Sequence, residues 1–298
     1  MVTPPFGRLL TAMVTPFAAD GSVDLDAAAS LAGYLVDELA HDGLVINGTT
    51  GESPTTSDSE KADLLRVVID SVGDRAAVLA GVGTFDTEHT LELTAEAAKL
   101  GADGLLDVTP YDSKPPQAGL LEHFRRVADS TDVPVMLYDI PGRAGTAIAS
   151  DTLLRLAEHP AIVAVKDAKG DLTASAQVMA QCDLAYYSGD DALTLPLLAV
   201  GAVGVVGTST HFSAAGTKAM IEAYVAGNVA EALRWHRRLL PIYTGIFATQ
   251  GCILVKAGLE LQGREVGGVR SPLVGATPAE IEGLRASLTA AGLGDLPR

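Results

Sequence analysis

The chain has 298 residues, 48% of them hydrophobic, which is ample for a large core in one or two domains. A formal net charge of −16 argues against nucleic acid as a partner, since such a surface repels phosphates. Cys182 and Cys252 supply no disulfide framework and no zinc spacing, and there is no export signal or bilayer-length apolar run, so a cytoplasmic protein without a membrane partner is expected.

Short apolar runs alternate with longer amphipathic ones eight times. Leu9 to Val14 reads as a first strand and Leu25 to Leu39 as a helix with apolar residues at helical spacing. Leu44-Val45-Ile46 is followed by the helix Asp58 to Val72, and Ala77 to Ala80 by Thr87 to Leu100. Gly104 to Val108 precedes Ala118 to Asp129, and Val135 to Tyr138 precedes Ser150 to Glu158. Ala161 to Val165 leads to the helix Leu172 to Ala180, Ala185 to Tyr187 to Thr194–Val200, and Val203 to Val206 to Ala214–Ala226. Eight strand–helix units predict an α/β fold, a (β/α)8 TIM barrel, whose site residues follow the strands. A doubly wound open sheet uses the same units, but no repeat has a Gly-x-Gly-x-x-Gly turn after its first strand. After Gly227 the rhythm changes to helices at Val229 to Leu240, Ile246 to Leu261 and Pro278 to Ala290. The expected division is a catalytic barrel over residues 1–227 and a C-terminal three-helix appendage over 228–298.

The strand ends carry the chemistry. Lys166 closes the run Ala161-Ile162-Val163-Ala164-Val165, where desolvation disfavours its charged form and leaves a fraction as the nucleophilic amine. Taken alone, the stretch reads more readily as a solvated strand-end lysine paired with Asp167; the other strand ends reverse that. After the second strand, Asn47-Gly48-Thr49-Thr50-Gly51-Glu52 offers amides and hydroxyls to a carboxylate or oxyanion. After the fifth, Tyr138 is placed to relay a proton and Arg143 to clamp a carboxylate. Ser188-Gly189-Asp190-Asp191 and Gly204-Val205-Val206-Gly207-Thr208 end the seventh and eighth strands, with glycines that permit close backbone approach.

Together, Gly48-Thr49-Thr50-Gly51-Glu52, Tyr138-x-x-Pro141-x-Arg143, Lys166 with Asp167, and Ser188-Gly189-Asp190-Asp191 resemble the dihydrodipicolinate synthase family. This is a branch of the pyruvate-dependent class I aldolases, the N-acetylneuraminate lyase superfamily. The similarity spans nearly the whole chain and is greatest to actinobacterial members. It implies a lyase that joins pyruvate to L-aspartate 4-semialdehyde in lysine and diaminopimelate biosynthesis, with no cofactor or metal, as a homotetramer. By the same resemblance, Lys166 forms the imine and Tyr138 relays protons to it, with the Thr49 hydroxyl as the next link. Thr49 and Thr50 hold the pyruvate carboxylate and Arg143 that of the second substrate, while Gly189 and Val206 line the pocket through their carbonyls.

One position departs from the pattern. The family carries two tyrosines after Thr109-Pro110: an interface aromatic, and a relay tyrosine that reaches the site of a neighbouring subunit. Tyr111 fits the first, whereas Asp112 occupies the second. An ionised carboxylate accepts hydrogen bonds but has no proton to pass on. The Gly207-Thr208-Ser209-Thr210 segment departs too. Imine chemistry remains the expectation, with a related aldolase using another acceptor as one alternative and a non-catalytic pyruvate-binding barrel as the other. In lysine-sensitive relatives an asparagine and a glutamate line an effector pocket; Phe85 and His89 stand at those positions, so weak lysine feedback is expected.

Overall fold

The computed structural model describes residues 2–294. In chain order the elements are β1 (Leu9–Ala12), α1 (Leu25–Gly33), β2 (Gly43–Ile46), α2 (Asp58–Val72), β3 (Ala77–Gly81), α3 (Thr87–Leu100), β4 (Gly104–Val108), α4 (Gln117–Asp129) and β5 (Val135–Asp139). They continue with α5 (Pro141–Ala144), α6 (Ser150–Leu156), β6 (Ile162–Asp167), α7 (Leu172–Met179), β7 (Ala185–Ser188), α8 (Thr194–Ala199), β8 (Gly204–Gly207) and α9 (Thr210–Val225). The last three helices are α10 (Val229–Gly245), α11 (Gly251–Leu261) and α12 (Pro278–Ala291).

The eight strands pair in parallel and in sequence order, and β8 returns to β1, closing the barrel. Strand side chains alternate between two apolar layers. Leu10, Val45, Leu79, Leu106, Met136 and Val206 fill the barrel interior. Leu44, Ile46, Val78, Leu105, Leu137 and Val165 pack outward against the helices. Both faces of a parallel barrel are therefore buried, which is why its strands read as continuous apolar runs.

A register irregularity between β5 and β6 orients the ends of both strands. Val135 pairs with Ile162, but Met136 pairs with Ala164, so Val163 is looped past. From there the register runs to Tyr138 opposite Lys166 and Asp139 opposite Asp167. The extra residue puts Ala164 and Lys166 on the interior side and Val165 and Asp167 on the helix side.

Several boundaries differ from those read off the sequence. The first helix widens into a π-turn over Tyr34–Glu38, closed by Leu39 N–H donating to the Tyr34 carbonyl. The tenth helix passes through Pro241 to Gly245 rather than stopping before it, and α11 begins only at Gly251. The intervening turn carries Phe247 and Gln250 to the barrel mouth. Here hydrophobic periodicity ran across a break that side-chain packing imposes. The C-terminal helices lie on the barrel: Tyr243 meets Thr217 of α9 at 2.9 Å, and Lys256 of α11 reaches Glu52 beyond β2 at 2.7 Å.

Candidate active site

Lys166 is 5% exposed and lines a cavity of about 350 Å³ at the C-terminal ends of the strands. Its Nζ stands 4.2 Å from the centre of the Tyr138 ring, as the β5–β6 register dictates. Burial is the main cause that lowers its pKa to about 8. The Asp191 carboxylate pulls that value up and the Arg143 guanidinium pulls it down. At neutral pH such a lysine presents roughly 300 times more free amine than one at its ordinary value. Asp191, itself buried, accepts from the Thr208 and Ser209 amides at 3.1 and 3.0 Å and from the Ser209 hydroxyl at 2.6 Å.

Tyr138 is 4% exposed, and burial pushes its phenol up to about 12. The Arg143 charge and a hydrogen bond with the Thr49 side chain oppose that rise. The phenol therefore keeps its proton at neutral pH and lies beside both the amine and a hydroxyl that can exchange one with it. Thr50 Oγ1 lies 3.4 Å from Thr208 Oγ1, joining the β2 loop to the segment after β8. Arg143, exposed on the one-turn helix α5, donates to Gln250 Oε1 at 2.8 Å. Gly189 lies on the cavity wall, and a Cβ there would stand 3.2 Å from Lys166 Cε and 3.0 Å from Ala168 Cβ. The absent side chain thus leaves room at the Lys166 amine. Val206 is buried among the barrel-interior side chains, and Thr208 forms the wall after β8.

A second cavity, of about 390 Å³, shares Thr49, Pro54, Tyr138, Ile140 and Arg143 with the first and extends to Asn47, Tyr111 and Asp112. The two spaces flank Tyr138 and Arg143, room enough for two small substrates side by side. Asp112 is exposed, with φ of +71°, in the left-handed region that a bulky side chain avoids and aspartate tolerates. Tyr111 packs edge-on against Phe85, ring centres 5.6 Å apart, and Phe85 is 61% exposed. His89 Nε2 pairs with Asp58 at 2.9 Å.

Behind Tyr138 and Lys166, on the helix side, Asp139 and Asp167 are buried together. Lys169 stands 3.6 Å from Asp139, and burial raises the Asp139 pKa to about 6. The Ser175 hydroxyl donates to Asp167.

This arrangement matches a known family. A model of the dihydrodipicolinate synthetase family covers residues 5–291. The chain belongs to that family. It is 66% identical over 288 residues to the 4-hydroxy-tetrahydrodipicolinate synthase of Acidothermus cellulolyticus, covering 97% of this chain and 93% of the relative. A dihydrodipicolinate synthase from Cyanidioschyzon merolae with lysine bound superposes with a TM-score of 0.95 at 44% identity, over 98% of this chain and all of that one. The chloride-inhibited dihydrodipicolinate synthase from Acinetobacter baumannii complexed with pyruvate gives 0.93 at 32% identity, over 97% of this chain and all of that one. The family fold and the barrel expected from the strand–helix rhythm are the same, and the chain is an enzyme of the lyase class its relatives represent.

Sequence reasoning passed over Phe247 and Gln250 and named Cys252 only for the framework it does not supply; all three line the Lys166 cavity. They lie where the periodicity read as uninterrupted helix, so no local signal marked them. Cys252 is a bystander thiol, its pKa raised by burial. Among the described residues no group of three or more potential metal ligands gathers, and no helix is long and apolar enough to cross a membrane.

Proposed function

We propose that this protein is a 4-hydroxy-tetrahydrodipicolinate synthase, condensing pyruvate with L-aspartate 4-semialdehyde. The observation that carries the reading is the buried Lys166 amine, with its pKa near 8, held 4.2 Å over the Tyr138 ring on the wall of a cavity. The neutral amine adds to the C2 carbonyl of pyruvate, and loss of water leaves the imine. Removal of a methyl proton gives the enamine, whose carbon attacks the aldehyde of the second substrate. Tyr138 supplies and retrieves protons, and Thr49 exchanges them with it. Thr49 and Thr50 receive the pyruvate carboxylate; Arg143, exposed between the two cavities, receives the carboxylate of the aldehyde.

Asp112 favours one second reading: a carboxylate on the wall of the adjoining cavity suits an acceptor bearing a cation or extra hydroxyls. The proposal includes a homotetramer in the cytoplasm, and the exposed Phe85 packed on the half-buried Tyr111 suits its tight interface because aromatics are enriched there.

Incubation with pyruvate and borohydride followed by peptide mass spectrometry tests the imine. The expected result is a reduced pyruvyl group on Lys166 alone; no adduct, or an adduct on Lys169, overturns it. A panel of aldehydes with pyruvate and product mass analysis then separates the two acceptor readings, with aspartate semialdehyde expected to turn over fastest.

A further inference from the structure

The loop that carries Thr49 and Thr50 is fastened to the C-terminal helices by a buried ion pair. Lys256, on α11, and Glu52, two residues beyond Thr50, each have side chains only 2% exposed. Lys256 Nζ donates to Glu52 Oε1 at 2.7 Å and to the Gly268 carbonyl at 2.6 Å, while Glu52 Oε2 accepts from the Arg270 amide at 2.9 Å. Both cations lie over the ring of Phe17, Lys256 Nζ at 4.0 Å and the Arg270 guanidinium carbon at 4.3 Å. Arg270 also donates to the Thr55 carbonyl at 2.7 Å and to the Gly21 carbonyl at 2.6 Å. The chain packs so closely here that a Cβ on Gly267 would stand 1.8 Å from the Phe17 carbonyl oxygen. The loops after β1 and β2 and the stretch after α11 thus converge on one cluster.

Stability alone does not account for the pair. Taking two charges out of water costs about what their attraction returns, and apolar residues of the same volume often do as well. What the pair provides is one definite geometry. Glu52 is held at φ of +57°, a conformation that residues with a Cβ avoid. Its amide donates to the Thr49 carbonyl at 3.1 Å, and the neighbouring Gly51 carbonyl accepts from the Thr15 hydroxyl at 2.6 Å. The charges that bear on the Lys166 amine are those of Asp191 and Arg143, so Glu52 reaches the chemistry through its loop rather than through its field.

We infer that the Glu52–Lys256 pair is a positioning device for the pyruvate carboxylate, fixing Thr49 and Thr50 from the C-terminal helices. This rests on the reading that Lys166 takes pyruvate as an imine. It makes the segment after residue 227 a working part of the site, not an appendage to a barrel that is complete without it.

The test uses the full chain with Lys256→Met, Glu52→Gln and the double variant, measuring melting temperature, kcat, KM for pyruvate and the pyruvate concentration that half-saturates borohydride trapping. Trapping at Lys166 in the unaltered protein is the control. If it is absent there, the imine reading has failed and the inference falls with it, which is distinct from a failure confined to the variants. Lys256→Met should raise KM and half-saturation about tenfold or more, with kcat within about threefold, because ground-state binding of the carboxylate is what loosens. Its melting temperature should fall, since a buried carboxylate loses its partner. The double variant should recover melting temperature, having no lone charge to bury, yet keep the raised KM. Recovery of KM together with stability, or a loss of kcat at unchanged KM, overturns the inference. Should Lys256→Met fail to fold, the double variant decides by the same two outcomes.

Discussion

The two halves of the site are held by different means. Tyr138 and Lys166 project from neighbouring strands whose register sets them opposite one another, and both are almost wholly buried. Thr50 and Glu52 project from the loop after β2 and Arg143 from the one-turn helix α5, and they are steadied by Thr208, Lys256 and Gln250, each more than a hundred residues away in sequence. The strand side owes its geometry to the closed backbone ladder, to which the loop adds a hydrogen bond between Thr49 and Tyr138. The loop side owes its geometry to side chains that could be exchanged singly. On the proposed reading, bond making sits on the rigid half and recognition on the adjustable half, the division a barrel scaffold favours.

The largest expected effect tests the strand side. Tyr138→Phe keeps the ring beneath the amine and removes the hydroxyl that carries the proton, so kcat should fall roughly 10²–10⁴-fold with KM for pyruvate little changed. A loss below tenfold in steady-state assays would show that another group relays the proton.

The next prediction concerns pH and links the halves. Only the neutral amine attacks, so the rate of borohydride trapping at sub-saturating pyruvate should climb as pH rises through about 8 and then level. The Arg143 cation helps to lower that value, so Arg143→Gln should move the midpoint upward. A midpoint that stays in place would mean that the guanidinium is too well solvated to act on Lys166.

A smaller effect is expected at Asp112, on the adjustable half. Asp112→Tyr supplies a phenol at the relay position and should raise turnover with aspartate semialdehyde several-fold. The ring must adopt a φ of +71°, at a conformational cost of roughly 1–2 kcal/mol that thermal melting should register. Turnover within about twofold of the unaltered enzyme, about 0.4 kcal/mol of barrier, would show that the carboxylate is no handicap.

The smallest effect lies farthest from the reacting atoms. Phe85 offers a phenyl edge to Tyr111, and His89 is engaged by Asp58, so neither presents the groups that would hold a free amino acid. Lysine at millimolar concentration should leave the initial rate within about twofold in a direct assay. Strong inhibition would mean that the effector is held by other residues.

Much of this molecule is dictated by local sequence. Eight apolar runs of strand length separated by helical periods leave few folds other than a closed barrel, because each strand must be buried on both faces. The strand-end position marked Lys166 and Tyr138, since a lysine or tyrosine closing such a run faces either water or a pocket. The run Ala161-Ile162-Val163-Ala164-Val165 has no polar alternation, however, so nothing local says which face Lys166 takes. The residue looped past at Val163 decides it, and that is a property of the β5–β6 pairing. Likewise, Glu52 reads locally as the end of a glycine-rich turn and Lys256 as one cation on an apolar helix. Their burial together, and the arrival of Gln250 beside Arg143, depend on where α11 docks. Periodicity reports which residues avoid water; which of them meet is set by long-range packing, and the loop half of this site was built there.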